Sequence, residues 1–175
     1  ELFLIEQYVE MALQYVRLES ESSDFVIEQV KLDEVIRGAI RKYARMFIRK
    51  KISLDYEETD FTVLTDKKWL SFVTEQILSN AVKYTAKGEI KVAVRKEGET
   101  ELFLTISDTG IGIKAEDLPR ICENGYTGYN GHANEQSTGI GLYLCSRMLK
   151  KLGHSLTITS KEGEGTTVCI GFQIE

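Results

Sequence analysis

Little proline, little histidine and no long apolar run set the first limits on this chain. Its 175 residues hold one proline and two histidines, and no apolar stretch reaches the length needed to cross a bilayer. Gly-Lys-Ser/Thr occurs nowhere, which excludes a P-loop. Excess positive charge is missing too: a net charge of −5 leaves no electrostatic footprint for nucleic acid or an anionic membrane surface. Cys122, Cys145 and Cys169 are odd in number and too widely spaced for a paired metal motif. They read as reduced thiols in a cytosolic setting, with Cys145 and Cys169 as small core residues.

What is present is the composition of a soluble globular chain, 42% hydrophobic and 28% charged, with length for one core plus an appended element. Leu2, Ile5, Val9, Ala12 and Val16 step by three and four, and Leu4, Tyr8, Met11, Tyr15 and Leu18 repeat the pattern one strip over. Two adjacent stripes make an apolar face broader than a lone surface helix needs. They predict either packing onto this domain's own core or membership of a helical bundle. Because the pattern is already under way at Glu1, the chain reads as part of a longer protein. After a polar break at 19–24, the order reads strand 25–30, helix 32–51, strands near 52–56 and 62–64, and a helix that Asp66 caps. A hairpin at 89–94 and 101–107 follows, then one helical turn from about Lys114 to Pro119, a loop at 122–138 rich in Gly, Asn and Ser, a helix, and two strands. Helices covering one face of a mixed, mostly antiparallel sheet give an α+β, two-layer α/β sandwich.

Four short stretches carry the chemistry. The apolar strand 102–106 stops at Asp108-Thr109-Gly110-Ile111-Gly112-Ile113. Glycines spaced by one residue let backbone approach a flat ligand, and the carboxylate can accept from an exocyclic amine such as adenine's. Gln76, Asn80 and Lys83 share one helix face, where amide oxygens can hold a hydrated magnesium and the ammonium can sit near phosphate; a solvated face is the plainer reading. Ser137-Thr138-Gly139-Ile140-Gly141-Leu142 opens an apolar helix whose first amides can attract phosphate. Gly163-Glu164-Gly165-Thr166-Thr167 turns into the last strand. Gly110-Ile111-Gly112-Ile113-Lys114-Ala115 formally satisfies a dinucleotide fingerprint. Pro119 breaks the long helix that fingerprint needs, and no strand ends in an acid about twenty residues on.

In this order the four stretches resemble the asparagine box and glycine boxes of the ATP-binding domain of bacterial sensor histidine kinases. That domain has the Bergerat-type fold shared with gyrase, the mismatch-repair ATPase and the large heat-shock chaperone. The resemblance covers roughly residues 24–175. Residues 123–131 further resemble the lid of short intramembrane-sensing kinases that respond to envelope stress or peptide antibiotics.

The resemblance implies an ATP-binding catalytic domain at 24–175 with a lid at about 114–138. It implies that residues 1–20 are the second helix of a dimerising phosphotransfer hairpin. ATP and Mg2+ are the implied cofactors. Asp108 is then expected at the adenine amino group, with Thr166 aiding through an ordered water, Gly110 and Gly112 giving clearance, and Tyr84 beside base or ribose. Asn80 is expected to ligate magnesium with Gln76 beside it, Lys83 to touch phosphate, and Gly139 and Gly141 to let the lid fold. Ile111, Gly128, Ile140 and Leu142 complete the expected nucleotide contacts; Asn80, Lys83 and Gln76 form the expected catalytic set. The implied partners are the chain's own phosphotransfer helix, a second protomer, a response regulator, and a transporter or membrane sensor in the intact system; nucleic acid is not among them. The implied location is a cytoplasmic domain of a protein anchored in the bacterial cell membrane.

Three departures matter. Gln76 stands where many such kinases carry a second asparagine and gyrase-like ATPases a glutamate base, and Glu75 is predicted to point about a quarter-turn away. Gln76 cannot act as a base, which disfavours plain ATP hydrolysis; a phosphate-accepting imidazole is its own nucleophile and tolerates the loss. His132 stands in the lid where an arginine for the terminal phosphate is expected. Neither His132 nor His154, read as a turn or edge residue, lies on an amphipathic helix beside an acid, so no autophosphorylation is expected. A degenerate nucleotide-binding or dimerisation module without phosphotransfer is the alternative. A gyrase-like ATPase and an anti-sigma serine kinase fit less well.

Overall fold

The structure is a computed structural model that describes residues 2–20, 25–128 and 137–175. Helix α1 (Leu2–Glu19) precedes strand β1 (Ile27–Lys31) and helix α2 (Leu32–Lys50). Strands β2 (Ser53–Tyr56) and β3 (Thr62–Asp66), helix α3 (Lys67–Tyr84) and the hairpin β4 (Glu89–Glu97) and β5 (Glu101–Asp108) follow. A 3₁₀ turn at Leu118–Arg120, helix α4 (Gly141–Lys151) and strands β6 (Ser155–Lys161) and β7 (Gly165–Gln173) complete the order.

Five strands form one sheet in the order β2-β4-β5-β7-β6, parallel only between β2 and β4. Alternation along the strands sends Ile90, Val92, Leu102, Leu104, Ile106, Val168, Ile170 and Phe172 to one face, all buried. Against them α3 and α4 bury Leu70, Val73, Ile77, Leu144, Met148 and Leu149, in one core with Val35, Ile36, Tyr43 and Phe47 of α2. Each such side chain contributes about 1.5–3 kcal/mol. The opposite face carries Lys91, Thr105, Ser107, Thr167 and Cys169, none of them fully buried. This is the expected α+β two-layer sandwich, with helices over one face of a mixed sheet.

Local rules place the elements. The Asp66 carboxylate accepts from the Trp69 N–H at 3.0 Å, capping α3 as its spacing predicts, and from the Val26 N–H at 2.9 Å. The second bond explains why β1 begins at Ile27 rather than at Phe25. β1 pairs with β3 in a separate two-stranded sheet. Helix α2 ends where Lys51 turns left-handed (φ 54°); the Lys51 N–H reaches Ile48 O and the Ile52 N–H reaches Phe47 O, closing its last turn without a glycine.

One expectation changes. Cys145 is fully buried on the inner face of α4, but Cys169 is half-buried on the sheet's helix-free face, because β7 aims Val168 and Ile170 inward and the residue between them outward. His154 sits in the turn before the edge strand β6, as expected, and does more there. Its Nε2 lies 2.8 Å from Thr65 Oγ1 and its ring packs edge-on to Phe172 at 4.7 Å, so it ties β3 to the main sheet.

Helix α1 divides its two stripes. Phe3, Met11, Tyr15 and Leu18 pack onto the domain core. Leu2, Ile5, Val9, Leu13 and Val16 face outward, between 54% and 79% exposed.

Candidate functional site

The end of β5 and the start of β7 build the first part of the site. Asp108, the last residue of β5, stands opposite Thr166. Its Oδ1 accepts the Gly110 N–H at 2.8 Å, and the Thr166 backbone N–H bonds the same carboxylate. Burial pushes its pKa above the ordinary carboxylate value while these two donors oppose the rise. Thr166 Oγ1 lies 2.8 Å from Ser160 Oγ, which also accepts the Ile113 N–H at 2.8 Å. Ser160 thereby locks Thr166 to the glycine turn. The glycines carry the turn: a Cβ on Gly110 would meet the Tyr84 carbonyl at 2.4 Å, and one on Gly112 (φ 69°) would meet the Lys161 carbonyl at 2.0 Å.

Helix α3 supplies the second part. Gln76, Asn80 and Lys83 line a cavity of about 400 Å³ with Tyr84, Asp108, Gly112, Gly128 and Thr166. Lys83 Nζ lies 2.8 Å from Ser137 Oγ, and the Tyr84 hydroxyl lies 2.9 Å from the same oxygen. Burial lowers the pKa of the Lys83 ammonium. Glu75 faces away, as its place on the helix predicts: its Oε2 is held by Lys42 Nζ at 2.5 Å. Lys50, unremarked in the sequence, lines the cavity and donates to the carbonyls of Val82 and Lys83.

The third part is the start of α4. Gly139 (φ 69°) leaves no room for a Cβ, which would meet Gly125 C at 2.5 Å; its carbonyl accepts the Gly125 N–H at 3.0 Å. A Cβ on Gly141 would meet Gln76 Oε1 at 3.1 Å, so α3's amide stands at the N-terminus of α4. Leu142 also lines the cavity. Gly110 supports the site from beneath rather than lining it. Ile111 points outward at 45% exposure, and Ile140 packs on the core. His132 lies outside the described residues. Four residues of α1, Leu4, Gln7, Tyr8 and Met11, form a wall of the same cavity that local sequence did not foretell.

Among the described residues no group of three His, Cys, Asp or Glu side chains could hold a metal. The donors on the cavity suit a different kind of ion. Two amide oxygens one helical turn apart match Mg2+, which keeps most of its waters and completes its shell with phosphate.

A half-buried carboxylate, a polar helix face and an open helix N-terminus meet on one cavity, an arrangement that suits a nucleotide. The chain belongs to the family of histidine kinase-, DNA gyrase B-, and HSP90-like ATPases, whose model matches residues 65–175. It is similar to the sensor histidine kinase YxdK of Bacillus subtilis, 37% identical over 170 residues, covering 96% of this chain and 52% of that protein. It is also similar to the sensor protein BceS of Halalkalibacterium halodurans, 36% identical over 168 residues, covering 95% of this chain and 50% of that protein. The chain thus spans about half the length of these curated relatives. In fold it matches full-length ShkA in complex with AMPPNP, with a TM-score of 0.77, 19% identity, and coverage of 94% of this chain and 34% of that one.

Proposed function

We propose that this chain is the ATP-binding catalytic domain of a two-component sensor histidine kinase. The observation that supports the reading is a cavity whose α3 face carries an amide, not a carboxylate, at position 76. Asp108, Asn80, Lys83 and Gly141 share one cavity, while Gln76 stands in the position of the glutamate base and the adjacent Glu75 is tied to Lys42. A site so built suits a nucleophile that needs no deprotonation by the enzyme, such as a neutral imidazole.

In this reading Asp108 accepts the adenine amine and fixes the base, with Thr166, locked by Ser160, holding a water beside it. Tyr84 flanks the base or ribose. Asn80 and Gln76 would hold Mg2+, which would supply charge neutralisation at the phosphates. Lys83 reaches phosphate by exchanging its Ser137 partner, and the N-terminal amides of α4 complete the anion site. The γ-phosphoryl group passes to a histidine outside this chain and then to a response regulator's aspartate. The exposed stripe of α1 belongs to a dimeric helical bundle, and the intact protein is anchored in the membrane with this part in the cytoplasm. Among the described residues, no helix is long and apolar enough to cross a membrane. Gln76 keeps a second reading in view, a nucleotide-responsive module without phosphotransfer.

Calorimetry with ATP, in magnesium and then in chelator, tests the site. Asn80→Ala is expected to weaken ATP binding in magnesium and to leave it unchanged in chelator; equal loss in both removes Asn80 as a ligand. Radiolabelled ATP supplied with a separate helical hairpin bearing the acceptor histidine distinguishes the readings. Transfer supports the kinase. Tight binding without transfer to a folded hairpin favours the module.

A further inference from the structure

Helix α1 reaches the cavity at one particular end. Along α3 the cavity has a direction. At the C-terminal end the Tyr84 carbonyl lies under Gly110, whose N–H holds Asp108. Eight residues earlier, about 12 Å along the helix axis, Gln76 meets the first residue of α4. Asn80 and Lys83 lie between. A nucleotide with its base on Asp108 therefore runs its phosphates toward Gln76 and Gly141. Met11 of α1 stands at that point: its Sδ is 3.9 Å from where a Gly141 Cβ would be. Gln7 pins the helix there, with Nε2 donating to the Tyr43 hydroxyl at 2.6 Å and to Ser79 Oγ at 3.4 Å.

Where this wall is Leu4 and Met11, its chemistry is wrong for a terminal phosphate, and the Gln7 amide is already spent on Tyr43 and Ser79. Leu4, Gln7, Tyr8 and Met11 bring no cation to the cavity. A phosphate oxygen taken from water and set against a thioether and a leucine loses hydration without gaining a hydrogen bond. The terminal phosphate, the group farthest from the base, is the one carried deepest toward this wall. Resting on the nucleotide reading above, we propose that α1 discriminates between nucleotides. Docked as seen, it tolerates ADP, whereas the terminal phosphate of ATP displaces Met11 and with it the helix. The linkage is reciprocal: a pull on α1 favours ATP, and ATP loosens α1. The remaining anchors are of the kind that can release. Tyr15 leans on Tyr143 and accepts from Asn124 Nδ2 at 3.2 Å, Lys151 Nζ donates to the Leu18 carbonyl at 2.8 Å, and Lys42 pairs with Glu10 at 3.3 Å.

The test titrates ATP and ADP, each with magnesium, into the chain and into two variants. Leu18→Asp places a charge at a fully buried anchor to release α1; Met11→Ala removes the wall and leaves the anchors. Far-UV circular dichroism and a cooperative melt verify folding. ATP is expected to bind about tenfold tighter to Leu18→Asp and about threefold tighter to Met11→Ala, with ADP unchanged within about twofold. In the unaltered chain, ATP is expected to speed trypsin cleavage after Arg17 and ADP to leave it unchanged. An ATP-to-ADP preference equal in all three chains, with equal cleavage at Arg17, overturns the proposal. Failure of both nucleotides to bind any of the folded chains overturns the nucleotide reading itself, and this inference with it.

Discussion

At the scale of single residues the site turns on Asp108, a carboxylate whose burial and hydrogen bonds work against each other. Because burial raises its folded pKa above 3.8, the protonated form is favoured in the fold. The stability this group contributes is therefore present below pH 3.8 and is lost as pH rises through the higher folded value. On the proposed adenine role of Asp108, nucleotide binding would have the opposite sign, since the carboxylate is the better acceptor for the adenine amine. ATP affinity is thus expected to decline on acidification at a higher pH than an unperturbed aspartate would give. Asp108→Asn is expected to lower ATP affinity by roughly tenfold to a hundredfold at neutral pH, the equivalent of one charge-assisted hydrogen bond. The same variant should melt no earlier than the parent, because it removes a desolvated charge. Calorimetry over a pH series descending from neutral toward the ordinary carboxylate range, together with thermal melts, checks both halves. Wild-type affinity in the variant removes the adenine role from Asp108.

At the scale of elements, the glycine turn is a joint between β5 and the β6–β7 turn rather than a flexible loop. Gly112 has φ 69° and would drive a Cβ to 2.0 Å from the Lys161 carbonyl; Gly98, at φ 62°, has nothing within 4 Å. Gly98→Ala is expected to cost about 1 kcal/mol, the left-handed penalty alone. Gly112→Ala is expected to cost at least about 3 kcal/mol, because the Ile111–Gly163 backbone bond of 2.7 Å holds the two turns together. Denaturant unfolding of the pair separates backbone strain from collision, and equal losses would refute the joint. This turn was legible in the sequence because its glycines are local, and so was α3, through the Asp66 cap and helical spacing. Ser160, Ser137 and Lys50 were not, since their partners lie on distant elements: Ile113, Lys83 and Val82. Strand alternation likewise announced β1 but could not name β3 as its partner. It did place Cys169 between two inward residues, a signal outweighed by the habit of reading cysteine as core.

At the scale of the whole molecule, α1 is a single helix with an inner stripe on the core and cavity and an outer stripe exposed. Its inner stripe fills the side of the nucleotide cavity; its outer stripe presents Leu2, Ile5, Val9, Leu13 and Val16 at three- and four-residue steps along about 21 Å of helix. Five exposed apolar side chains in a line exceed what a surface leaves bare without a partner. Periodicity revealed both stripes in the sequence, but which one faced this domain depended on the shape of the surface formed by α2, α3 and α4. The outer stripe is expected to drive self-association of the chain into a helical bundle. Val9→Glu with Leu13→Glu should abolish that association in sedimentation velocity while leaving ATP and ADP affinities unchanged, because neither residue touches the cavity. Persistence of the dimer would place the contact elsewhere. A change in ATP affinity on dilution of the unaltered chain, absent from the double variant, would show that contacts on the outer stripe are felt at Met11. A helix turned or drawn by its bundle partner moves the wall at the phosphate end, about one helix diameter away.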